Sequence, residues 1–169
     1  MERDTLANAF TDLIEENQGI IFKVSAMYCN DATCRKDLVQ EILLQLWRSF
    51  PSYDKTRKYT TWMYRVALNT AISQWRKEIS KKEISTEELP VTLSDDDLIN
   101  EKNESVRLLN IAINKLTKAE KSIIILYMDD YPYDEISEIT GISVSNVGVK
   151  INRIKKKLQN HLKELGYGL

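Results

Sequence analysis

Asp134-Glu-Ile-Ser-Glu-Ile-Thr-Gly-Ile-Ser-Val-Ser-Asn-Val147 is the stretch on which the fold turns. Ile136 reads as an inward-facing residue, Ser137 is small enough for a second helix to cross closely, and Gly141 suits a left-handed turn. Ile142, Val147 and Ile151 supply the buried face beyond the turn. Pro132 and Asp134 open the first, short helix, which ends at Thr140-Gly141. Ser143 is placed to cap the second, predicted from about Val144 to Leu165, before the tail Gly166-Tyr-Gly168. The pattern resembles a helix-turn-helix.

On a wheel of ~100° per residue, Val147, Ile151, Ile154 and Leu158 of the last helix cluster on one side. Opposite them stand Ser145, Val149, Asn152, Arg153 and Lys156. That outer face suits a DNA major groove. Serine and asparagine can bond base edges, arginine can take guanine or phosphate, and valine can meet a thymine methyl. Lys150, Lys155 and Lys157 on the flanks are expected to bind phosphates, which position a helix without reading sequence.

Working outward, Thr117-Lys-Ala-Glu120 is a capping box opening a helix that carries Ile123 to Met128. Val106 to Leu116 suggests another helix before it. Residues from about 80 to 104 are polar and acidic, with Pro90 and the run Ser94-Asp-Asp-Asp97, and could not bury enough surface to fold alone. The first half reads as consecutive helices. Leu6, Phe10, Leu13 and Ile14 fit one face, and Ile20, Ile21, Val24, Met27 and Tyr28 fit another after Gly19. Leu38, Val39, Ile42, Leu43, Leu46, Trp47 and Phe50 form a broad stripe that Pro51 ends. A fourth helix is predicted from about Thr61 to Glu78 after the polar loop Ser52–Tyr59. The expected fold is all-α: two small helical domains joined by a flexible acidic linker, with boundaries at 1–79, 80–104 and 105–169 and the helix-turn-helix in the C-terminal domain. Scarce glycine (5) and proline (3) in 169 residues agree with it.

A net charge of −1 argues against nucleic acid as a partner until its distribution is followed. Lys55 to Lys77 holds six basic residues and no acid, and Ile142 to Lys163 holds six more, again with no acid. Lys81 to Arg107, between them, carries a net of −4. Two basic footprints separated by an acidic strip are a nucleic-acid signature that the sum conceals. Cys29 and Cys34 lack the second pair of ligands that zinc needs, so the expectation is two reduced thiols and no metal. There is no phosphate loop, and His161 is the single histidine, so no catalytic constellation and no cofactor are expected. No apolar run approaches the ~20 residues of a membrane span. Met1-Glu-Arg-Asp4 lacks the basic start and apolar core of a signal peptide, which predicts a cytoplasmic protein without membrane insertion.

The Thr61–Glu78 wheel gathers Tyr64, Ala67, Leu68, Ala71 and Trp75 on one face, read as core. Trp62, Arg65, Asn69, Ser73 and Arg76 lie nearly opposite, and the preceding loop adds Tyr53, Lys55, Arg57, Lys58 and Tyr59. Such a face could capture unpaired DNA, with the indole on a base, the amide on base edges and the arginines on phosphate. Burial of Trp62 at the helix start fits the same pattern equally well. On the helix before, Asp37, Gln40, Glu41, Leu44 and Arg48 face outward. A leucine among acids and amides there suits docking against a partner protein.

Taken together these segments resemble the extracytoplasmic-function sigma factors of bacterial RNA polymerase. Asp37-Leu-Val-Gln-Glu-Ile-Leu-Leu-Gln-Leu-Trp47 is similar to their polymerase-binding helix, and Tyr59-Thr-Thr-Trp-Met-Tyr-Arg-Val-Ala-Leu-Asn-Thr-Ala71 to their minus-ten motif. Leu116-Thr-Lys-Ala-Glu120 through Lys150-Ile-Asn-Arg-Ile-Lys-Lys-Lys-Leu158 is similar to their minus-35 domain. The resemblance implies that Asp37, Gln40, Glu41 and Leu44 contact the coiled-coil clamp of the β′ subunit of core polymerase, with further contacts to the β subunit. It implies that Lys55, Arg57, Lys58, Tyr59, Trp62, Arg65, Asn69 and Arg76 handle the non-template strand, with a flipped base entering a pocket near the Ser52–Tyr59 loop. Ser145, Asn146, Gly148, Val149, Lys150, Asn152, Arg153 and Lys156 would face the minus-35 duplex of promoter DNA. An anti-sigma partner is implied, and no small-molecule substrate. Ser137 and Thr140 stand where alanine and a larger apolar residue are usual, Gly148 where a basic residue is common, and Cys34-Arg-Lys36 where the family is more acidic. The rival reading is a dimeric helix-turn-helix regulator on a palindromic operator, which has no need of the Tyr59–Ala71 face.

Overall fold

The structure, a computed structural model, describes residues 2–82 and 103–167. Among them every regular element is helical. The helices are α1 (Glu2–Tyr28), α2 (Ala32–Ser49), α3 (Tyr59–Lys82), α4 (Glu104–Asn114), α5 (Lys118–Met128), α6 (Tyr133–Thr140) and α7 (Val144–Glu164), with a 3-10 turn at Phe50–Ser52 after α2. The chain divides into two compact units, Met1–Val91 and Thr92–Leu169. Most of the expected acidic linker, residues 83–102, lies outside the described residues.

In the first unit α1, α2 and α3 pack against one another. The apolar stripes foreseen on them form its core, with Val24, Leu38, Ile42, Leu46, Tyr64, Ala67, Leu68 and Ala71 all buried, and Met63, outside those stripes, is buried with them. Two expectations fail here. Gly19 does not divide the first segment, because α1 runs unbroken through it. A mid-helix glycine costs about 1 kcal/mol, which is little beside the packing of α1 on both neighbours. Trp75 does not join the core: it is 36% exposed, towards the C-terminal end of α3.

Cys29 and Cys34 are not free thiols but form a disulfide. α1 ends at Tyr28 and α2 begins at Ala32, so the short connection folds back and brings the two Cα atoms to 5.6 Å, within disulfide reach. Asp31 caps α2, its carboxylate accepting from the Cys34 N–H at 2.8 Å. Arg35 Nε donates to the Cys29 carbonyl at 3.1 Å.

In the second unit α7 packs on α4, α5 and α6. Its apolar face, Val147, Ile151, Ile154 and Leu158, is buried as expected. The local signals act as foreseen. Thr117 and Glu120 form a reciprocal capping box on α5, Ser143 caps α7, and Gly141 ends α6 at φ 76°. Ser137, the small residue at the crossing, also donates its hydroxyl to the Ile142 carbonyl, so it ties the turn together.

Candidate nucleic-acid interfaces

α7 fixes the first candidate surface. With its apolar stripe buried, Ser145, Asn146, Val149, Lys150, Asn152, Arg153 and Lys156 are all exposed. Gly148 is half-buried, because the Tyr133 ring covers it: a Cβ there would meet Tyr133 Cε2 at 3.4 Å. The gap left by the missing side chain is therefore filled by an aromatic from the start of α6, itself 39% exposed. Two flanking lysines have partners within the unit. Lys155 Nζ donates to the Tyr127 hydroxyl at 2.7 Å and lies 4.2 Å from that ring's centroid. Lys157 pairs with Glu120. Burial alone would raise the Glu120 carboxyl, but hydrogen bonds from Lys157 and Thr117 hold it below its ordinary value. Both lysines thus brace α7 on α5.

The second surface is the outer side of α3 with the loop before it. Arg65, Asn69 and Arg76 are exposed on the helix, and Lys55, Arg57, Lys58 and Tyr59 on the loop and at the start of α3. Trp62 is half-buried, tilted against Tyr53 at 4.9 Å and Phe50 at 6.2 Å between ring centroids. The sequence pattern missed the aromatic cluster that holds it. Tyr53 stacks on Tyr59 at 4.9 Å, and Phe10 of α1 meets Trp47 and Phe50 edge-on. The loop has its own ties. Asp54 accepts from the Thr56 N–H and hydroxyl, and the Tyr53 hydroxyl donates to the Arg57 carbonyl. The Thr56 hydrogen bonds, then Arg57, hold the Asp54 carboxyl below its ordinary value. Beside this loop is a cavity of about 450 Å³ lined by Leu6, Leu13, Phe50, Tyr53, Lys55 and Tyr59.

The third surface is the outer side of α2, where Asp37, Gln40 and Leu44 are exposed. Leu44 is 41% exposed, and Glu41 is half-buried, accepting from Gln45 Nε2 at 2.8 Å. A cleft of about 600 Å³ runs between this helix and α3, lined by Asp37, Glu41, Gln45, Asn69, Ser73 and Lys77 among others. No group of three or more potential metal ligands occurs among the described residues, and no described helix is long and apolar enough to cross a membrane.

Two of these surfaces lie on residues 13–79, which match the family model of sigma-70 region 2, and the α7 face lies on residues 108–158, which match that of sigma-70 region 4. The chain belongs to the sigma-70 family. Within it, the chain falls in the extracytoplasmic-function (ECF) group. The ECF sigma factor SigW of Bacillus subtilis is 27% identical, over 94% of this chain and 91% of its own length. The ECF sigma-E factor of Haemophilus influenzae is 25% identical, over 76% of this chain and 75% of its own. In fold, the chain is similar to the sigma factor RpoE of Bartonella quintana, solved with the anti-sigma factor NepR, at a TM-score of 0.70 and 20% identity, covering 90% of this chain and 97% of that one. CnrH, solved with the cytosolic domain of CnrY, gives a TM-score of 0.68 at 18% identity, covering 94% of this chain and 90% of that one. Sigma factors direct transcription initiation, and that is the function of this chain.

Proposed function

We propose that the chain works as a removable DNA-reading subunit of RNA polymerase in the cytoplasm, and that it catalyses nothing itself. One observation carries this reading. A basic, hydrogen-bonding face on α3 and another on α7 lie on separate units, while α2 turns Leu44 to solvent among acids and amides. Asp37, Gln40, Glu41 and Leu44 dock on the β′ clamp coiled coil. Ser145, Asn146, Val149, Asn152 and Arg153 read the minus-35 duplex, with Lys150 and Lys156 on phosphates. Trp62, Arg65, Asn69 and Arg76 hold the non-template strand of the minus-ten element, and a flipped base enters the cavity beside Tyr53 and Tyr59. Since RpoE and NepR form a complex, an anti-sigma protein is a fitting partner here too.

The energetics explain why polymerase is needed. Extruding a base costs a few kcal/mol, and stacking it on an aromatic returns ~1–3 kcal/mol. That near balance leaves the free chain a weak binder of promoter duplex, and contacts from core polymerase tip it. Run-off transcription with core polymerase, on a library of upstream regions from the source organism, tests the reading. Discrete new transcripts are expected with the chain, lost in the Trp62→Ala, Asn69→Ala double variant and lost again in Leu44→Asp. No transcript and no core binding would overturn it.

A further inference from the structure

The Cys29–Cys34 disulfide lies at the start of the helix assigned above to polymerase docking. Four observations bear on what it does. The sulfurs are not equivalent: Cys29 is buried, at 4% exposed, and Cys34 is half-buried. Cys34 sits in the first turn of α2, three residues after the Asp31 cap, at the positive end of the helix. Arg35 and Lys36 follow it directly, and that first turn contains no acid. Asp37, the first docking residue, comes in the next turn.

We propose that Cys29 and Cys34 form a peroxide-responsive switch that controls how firmly α2 is ordered for docking on core polymerase. The second half of this rests on the sigma-factor reading above; the thiol chemistry does not. Cys34 is the more exposed of the two sulfurs, so it is the one a peroxide reaches, which makes it the nucleophile. Its thiolate attacks a hydroperoxide oxygen: an S–O bond forms, the O–O bond breaks, and hydroxide leaves. The Cys29 thiol then attacks the sulfenic sulfur, forming the S–S bond as water departs with its proton. Two electrons pass from the thiol pair to the peroxide. A small dithiol reverses the process by exchange at Cys34, the more accessible sulfur. A protein that works with polymerase works where thiols are kept reduced, and there disulfides are usually transient signals. In the disulfide form the end of α1 and the first turn of α2 are tied together. In the dithiol form that turn frays and must be re-ordered on docking, a cost comparable to a lost helix cap, or about threefold to tenfold in Kd.

The test uses the full chain, reduced, freed of reductant and titrated with hydrogen peroxide. The expected result is loss of both thiols and a monomer lighter by two hydrogens. Cys29→Ser should accumulate a sulfenic acid at Cys34 that dimedone traps, whereas Cys34→Ser should react no faster than a free cysteine. Equal reactivity of the two variants, or a disulfide formed only between chains, would overturn the switch chemistry. Chains oxidised or reduced beforehand are then titrated with core polymerase. The oxidised form should bind about threefold to tenfold tighter, and the Cys29→Ser, Cys34→Ser variant should bind like the reduced form whatever its treatment. Core binding that ignores the thiol state overturns the coupling alone. Disulfide formation with no core binding in either state overturns the coupling together with the sigma-factor reading.

Discussion

Arg153 and Asn152 stand exposed on α7 where a major groove would meet them, and they carry the sharpest prediction at the residue scale. Replacing Arg153 with alanine should relax preference at one minus-35 position, with a loss of about 1–3 kcal/mol of discrimination. Lys150→Ala should instead weaken all promoters alike and lower the salt slope by about one. Competition between minus-35 variants for the complete polymerase, at several salt concentrations, separates the two. A second residue-scale prediction concerns Lys118. Burial, helped by Lys121, pushes its amine down to about 8 from the ordinary 10.5. Between those values the unfolded chain binds the extra proton, so the Lys118 contribution to stability rises with pH across that window and is flat below it. Lys118→Gln should flatten that rise, as denaturant titrations at pH 7.5 to 10 would register.

At the scale of the element, the α6–α7 turn depends on Gly141, whose φ of 76° lies where side chains are strained. Gly141→Ala should destabilise the second unit by about 1–2 kcal/mol even though the space is open. Gly19, in the middle of α1 with nothing within 4 Å of an added Cβ, should behave oppositely, Gly19→Ala stabilising by about 0.5–1 kcal/mol. Denaturant unfolding of the full chain checks both. The same contrast explains what the sequence made legible. Thr117, Ser143 and Gly141 act within their own turns, so their residue types alone marked the starts and stops of α5, α6 and α7. What depends on distant neighbours stayed hidden. Gly19 reads as a break until α2 and α3 are seen packed along α1. Trp75 reads as core by periodicity, but it falls where α3 leaves it exposed. The disulfide needed the return path between α1 and α2, and the seat of Trp62 needed Phe50 and Tyr53 across a loop. The outer faces of α2, α3 and α7 were legible because their exposure follows from the buried stripe opposite. Their assigned contacts rest on the family pattern. The bracing of α7 on α5 by Lys155 and Lys157 was likewise hidden, since it needs Tyr127 and Glu120 on another helix.

For the whole molecule, charge placement sets the mode of action. A net charge of −1 gives little general attraction to DNA, while the acid-free runs on α3 and α7 offer it locally. Affinity for promoter DNA should therefore be low for the chain alone, and high and salt-dependent once core polymerase presents both faces together. The direct test is permanganate reactivity of thymines across the minus-ten element of a responsive promoter, with the chain alone, core polymerase alone, and both. Reactive thymines are expected only when both are present, and are lost with Trp62→Ala, Asn69→Ala. A chain that binds the closed duplex tightly by itself as a dimer, with no opening when core polymerase is added, would contradict this.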